Sequence, residues 1–100
     1  MITTKQRAYL RGLAAALDPV TQIGKNGITK TVVKTLSDAL EAHELIKVTV
    51  LETCPTSARE TMDLLSGPLH AEQVQVIGRK IALYRRQSDP EKRRIVLPKA

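Results

Sequence analysis

Gly24-Lys25-Asn26-Gly27 is the segment of this sequence best suited to holding an anion. It lies between the short strand expected at Val20–Ile23 and Thr29, a residue type that caps helices. The first turn of a helix leaves backbone N–H groups without partners, and the helix dipole adds partial positive charge there. An anion fits such a place. Glycine at both ends of the turn permits positive φ and lets a bulky group approach the backbone. Lys25 adds charge at the tip, and Lys30 and Lys34 continue it along one face of the helix that follows.

The segment has no Gly-Lys-Ser/Thr ending of a nucleotide-binding loop and no third glycine of a dinucleotide turn. It does match the GXXG turn by which KH domains clamp single-stranded nucleic acid. Gly24, Lys25, Asn26, Gly27, Lys30 and Lys34 are therefore the candidate RNA-binding residues, supported by Arg7 and Arg11, which stand four apart on an earlier helix. Arg79, Lys80, Arg85 and Arg86 form a second tier, because strand alternation sends neighbours to opposite faces. Tyr9 and Tyr84 are the only aromatic residues, so no aromatic platform for stacking bases can be built. Contacts to phosphates should outweigh base-specific ones.

Other reactive side chains are sparse. One cysteine, Cys54, excludes an internal disulfide and suits a reducing, cytoplasmic setting. Cys54 with His43 or His70 would be needed for a thiol–imidazole pair, but no local motif supports one. One cysteine and two distant histidines give no metal-ligand spacing. The sequence points to no catalytic residue, no metal, no cofactor and no small-molecule substrate. Its apolar runs are far too short to span a membrane, and its first ten residues lack a signal-peptide core.

The net charge of +6 is unevenly placed. Residues 1–34 hold six bases against the single acid Asp18, residues 35–72 hold seven acids against two bases, and residues 73–100 hold eight bases against two acids. Basic ends folded onto one face would make a positive patch for nucleic acid. Two other readings use the same map. An adaptor could dock a basic protein through the acidic middle, and a phosphate reader could take duplex DNA.

One hundred residues suit a single domain, with residues 87–100 as a basic C-terminal tail. Thr3 and Gln6 form a capping box for a first helix, with Leu10, Leu13, Ala14 and Leu17 on its apolar stripe and Asp18-Pro19 as its stop. After the strand Val20–Ile23, Thr29 caps a second helix to about His43, with Ile28 stapled to Val33 and with Val32, Leu36, Ala39, Leu40 and His43 on its inner face. Ile46–Leu51 alternates as a strand. Ser57 and Glu60 cap a third helix, which Gly67-Pro68 should end. Val74–Ile77 and Ile81–Tyr84 flank a hairpin turn at Gly78-Arg79, and Ile95–Leu97 is a last short extended run. The order α-β-α-β-α-β-β predicts a compact α/β domain, a four-stranded sheet packed with helices.

Five blocks in this order carry a resemblance: Leu10-Arg11, Pro19-Val20 to Ile23-Gly24-Lys25-Asn26-Gly27, His43-Glu44-Leu45-Ile46-Lys47-Val48, Val74-Gln75-Val76-Ile77-Gly78-Arg79, and Leu83-Tyr84-Arg85. Together they resemble the CRM domain (chloroplast RNA splicing and ribosome maturation) in its stand-alone bacterial, YhbY-like form. The resemblance implies a fold similar to the C-terminal domain of translation initiation factor three. It implies RNA binding through the GXXG turn and adjacent basic surface, no catalysis or cofactor, and association with precursors of the large ribosomal subunit. Residues 54–73 match no block of that pattern.

Overall fold

The structure is a computed structural model that describes residues 2–93 and 95–98. Its elements are α1 (Thr4–Ala14), β1 (Thr21–Ile23), α2 (Lys30–His43), β2 (Leu45–Val50), α3 (Ala58–Leu69), β3 (Glu72–Ile77) and β4 (Lys80–Tyr84). A single 3-10 turn follows at Pro90–Lys92. The four strands form one mixed sheet in the order β1-β2-β4-β3, as the α/β reading expects. β1 runs parallel to β2, and the other two pairings are antiparallel.

The helix starts follow from their caps. Thr3 accepts from the Gln6 N–H at 3.1 Å while the Gln6 side chain accepts from the Thr3 N–H at 3.0 Å, a complete capping box. Thr29 accepts from Val32 at 3.1 Å, and Ser57 from Glu60 at 3.1 Å. Ile28 and Val33, the expected staple, both pack against the larger core.

Strand alternation splits the apolar residues into two cores. Ile46, Val48 and Val50 of β2 and Ile81 and Leu83 of β4 face α2 and α3, where they meet Leu36, Leu40, Met62, Leu65 and Leu69. Leu45 of β2 and Ala82 and Tyr84 of β4 point the other way, against Leu10 and Ala14 of α1 and against Ile95 and Leu97 of the tail. Residues 74 and 75 sit at a bulge in β3, which turns Val74 into this second core.

Four expectations are corrected. α1 ends at Ala14, before Asp18-Pro19, and only Leu10 and Ala14 of its stripe are buried. Leu13 and Leu17 remain about a third exposed, on an open groove that they line with Val20, Leu45 and Ile95. α3 runs through Gly67-Pro68 to Leu69 and ends at His70, whose φ of 52° closes it. Burial of Leu65 and Leu69 on one face outweighs the hydrogen bond lost at Pro68, which lies in the last turn. His43 is exposed at the end of α2 rather than on its inner stripe. The run 95–97 forms no strand; Ile95 and Leu97 pack as irregular chain, and Arg94 lies outside the described residues.

The tail is fastened by Glu44, the residue that caps the end of α2. Glu44 is 1% exposed and holds φ 65°, ψ −44°, a conformation that residues with a Cβ seldom adopt. Its surroundings fix it there. Its N–H donates to Leu40 at 2.8 Å, and its carbonyl accepts from Arg85 at 2.8 Å. Its carboxylate accepts the backbone N–H groups of Gln87 at 3.1 Å and Ile95 at 3.0 Å. Burial pushes the neighbouring Tyr84 phenol up, the Glu44 charge pushes the same way, and Arg86 and Arg93 act against both.

Replacing Glu44 with alanine leaves one buried and one partly buried N–H group without their acceptor, which should destabilise the domain by about 2–4 kcal/mol. Urea unfolding measures the loss. Amide hydrogen exchange at Gln87 and Ile95 should speed up more than exchange in β2.

Candidate nucleic-acid interface

The end of the sheet where β1 and β2 finish carries three connections side by side. Gly24–Gly27 leaves β1, residues 51–57 leave β2, and Gly78-Arg79 joins β3 to β4. Leu51 N–H donates to the Ile23 carbonyl at 2.9 Å and Val50 N–H to the Arg79 carbonyl at 2.7 Å, so the three are tied together.

Gly24–Gly27 is a closed turn, with Gly27 N–H donating to the Gly24 carbonyl at 2.9 Å. Lys25 and Asn26 stand exposed at its tip. The two glycines differ in what they are for. Gly27 is buried at φ 64°, and a Cβ there would lie 3.2 Å from Pro55 Cγ. Local geometry alone therefore demands glycine at 27. At Gly24 a Cβ would meet Leu51 and Thr53 at 3.6 and 3.7 Å, ordinary contacts, so packing does not demand glycine there.

The backbone N–H groups of Lys25, Asn26, Lys30 and Thr31 have no hydrogen-bond partner among the described residues. The first two sit on the turn and the others in the first turn of α2. Lys30 is exposed beside them. Lys34, one turn on, pairs with Asp38 at 3.3 Å, but both side chains are largely solvated and such a pair yields readily.

The remaining expected residues are not all brought to this turn. Arg79 and Lys80 are near it, on the hairpin at the same end of the sheet; Arg79 pairs at 3.1 Å with the exposed Glu52. Arg85 and Arg86 follow the opposite end of β4. Arg85 donates to Ser37 Oγ, to the carbonyls of Ser37 and Leu69, and to Glu41, so its guanidinium joins α2 to α3. Arg86 is exposed below it. Arg7 and Arg11 lie across the sheet on the β3 edge, where Arg7 Nε donates to the Gln73 carbonyl at 3.1 Å. Arg59, which carried no motif of its own in the sequence, stands with them.

Cys54 is buried near the turn. Burial acts to raise its thiol, but hydrogen bonds with Thr56 and Thr61 outweigh that and leave it below the usual thiol range. His43 and His70 close α2 and α3 at the far end of the sheet, so no thiol–imidazole pair forms. Among the described residues no three metal-ligating side chains cluster, and no helix is long and apolar enough to cross a membrane.

A sequence profile of the CRS1/YhbY (CRM) domain matches residues 2–85. The chain belongs to the CRM domain family. CRM relatives include the Bacillus subtilis "Probable RNA-binding protein YqeI", 39% identical, with 98% of this chain and 100% of that protein aligned. A Haemophilus influenzae "RNA-binding protein" is 40% identical over 98% of this chain and 96% of its own length. The solution structure of the hypothetical protein SAV1595 from Staphylococcus aureus superposes with a TM-score of 0.82 at 44% identity, covering 98% of this chain and all of that one.

Within this CRM domain the two turn glycines should separate cleanly on substitution. Gly27→Ala should lower stability by about 1 kcal/mol or more through φ strain and the Pro55 contact, while Gly24→Ala should stay within about 0.5 kcal/mol of wild type. Thermal or urea unfolding of the two variants decides it.

Proposed function

We propose that this chain is a non-catalytic RNA-binding protein that grips phosphates with the Gly24–Gly27 turn and the start of α2. The ligand we assign is ribosomal RNA of the maturing large subunit, in the cytoplasm, on the strength of the CRM resemblance. The names of its relatives, RNA-binding proteins, support the class of ligand.

One observation carries the reading: the acids of residues 35–72 have partners within the chain, whereas Lys25 and Lys30, beside the unpartnered N–H groups of the turn and of α2, do not. Asp38, Glu41 and Glu52 face Lys34, Arg85 and Arg79, Glu60 accepts from Ser57, and Asp63 accepts from Gln73. Glu44 is buried on the tail, and Glu72 also has a partner. Each of the seven acids of residues 35–72 thus has a partner within the chain, which favours the RNA reading over the adaptor reading even though Asp38, Glu41 and Glu52 remain largely solvated. Lys25, Lys30, Arg11 and Arg59 are exposed, and no hydrogen bond or ion pair engages their side chains among the described residues. Multivalent phosphate is the ligand such a surface lacks.

Titration of single-stranded ribosomal RNA fragments at several salt concentrations should give a log–log slope of roughly −2 to −3.5, because each neutralised phosphate contributes about −0.7. Lys25→Glu should weaken binding and flatten the slope while circular dichroism stays unchanged. A flat wild-type slope, or equal affinity for matched duplex DNA, would count against the proposal.

A further inference from the structure

A second basic surface lies on the opposite edge of the sheet from the turn. β3 is the outer strand there, and a groove of about 500 Å³ runs along it from Gln73 to Ile77. Arg7 and Arg11 of α1 stand on one wall and Arg59 of α3 on the other. No acidic side chain lines the groove. Arg7 is aimed by its bond to the Gln73 carbonyl, and the guanidinium groups of Arg11 and Arg59 have no partner among the described residues. By contrast, Arg79 and Arg85 both face carboxylates of this chain. Three guanidinium side chains thus line one groove, with Asp63, bonded to Gln73 at 2.9 Å, the nearby acid, so an excess of positive charge favours an anionic occupant.

We propose that this groove is a second phosphate-binding site and that one RNA strand occupies it together with the turn. The inference rests on the RNA-binding reading above and extends it to a second site. Three inter-strand spacings separate β1 from β3, about 14 Å, a span that a short stretch of single-stranded RNA can bridge. Lys80 on the hairpin lies at the end of the groove nearer the turn, beside Arg79 and its solvated partner Glu52, so the path between the two sites carries a net positive charge. A protein strand added to the edge of β3 is a poorer occupant. The bulge at residues 73–75 interrupts the edge, and Arg7 already holds the Gln73 carbonyl.

The two sites together make affinity depend on RNA length. Binding of 5-nucleotide and 15-nucleotide single-stranded RNAs is measured for wild type, Lys25→Glu and Arg11→Glu/Arg59→Glu. Circular dichroism checks that each variant is folded. Wild type should bind the longer RNA at least roughly tenfold more tightly than the shorter one. The double variant should lose that advantage, and its salt slope on the long RNA should shrink by about 1.4, two phosphates' worth. If wild type binds RNA and Lys25→Glu weakens it, but the double variant keeps wild-type affinity and slope, the groove proposal is overturned and the turn reading stands. A wild type that binds neither RNA overturns both. Displacement of the long RNA's extra contact by a polyglutamate peptide at low concentration would assign the groove to an acidic protein instead.

Discussion

The antiparallel pairing of β2 with β4 decides where every helix sits. Val48 lies opposite Ile81 and Ile46 opposite Leu83, so one face of the central strands is a continuous apolar surface for α2 and α3. Leu45 opposite Tyr84, with Ala82 beside them, makes a smaller surface on the reverse for α1 and the tail. A slip of one residue would turn Lys47 and Thr49 into the larger core and expel three large aliphatic side chains. That penalty locks the register. The register in turn brings Lys80 opposite Thr49, which sets the hairpin beside the ends of β1 and β2. The candidate RNA surface is therefore assembled by core packing, although none of its charged residues takes part in the core.

Much of this was legible in the chain. Three caps, the turn at Gly24–Gly27, the hairpin at Gly78 and the strand alternation of β2 and β4 are signals that act within a few residues, and each appears where its residue types place it. Where reading failed, a distant partner decided the outcome. Pro68 ordinarily ends a helix, but Leu69 is held by residues of β4 and α2 that no local window contains. Leu13 and Leu17 have helical spacing, yet α1 stops at Ala14 and both side chains are left on an open groove beside Leu45 and Ile95.

Charge was the hardest property to read along the sequence, because segment totals do not reveal pairing. The acids of the middle segment stay largely at the surface, but each of Asp38, Glu41, Glu52 and Asp63 has a partner on this chain. Arg59, inside that acidic segment, belongs spatially with Arg7 and Arg11. Arg85, inside a basic one, serves the contact between α2 and α3. Sequence neighbours four apart on a helix could be grouped, as Arg7 and Arg11 were. Grouping across the β3 edge requires knowing that β3 is an edge.

The fastening of the tail has a consequence for how freely that part of the chain can change. Glu44 holds it through the backbone N–H groups of Gln87 and Ile95, not through their side chains. Nineteen of the twenty residue types offer the same N–H, so the latch itself places almost no demand on sequence at those two positions. Proline alone lacks the donor. The latch thus fixes the path of the tail through its backbone, while Ile95 and Leu97 must still be apolar to fill the second core. For the latch itself, the requirement for identity rests on one buried glutamate that precedes the tail by some forty residues.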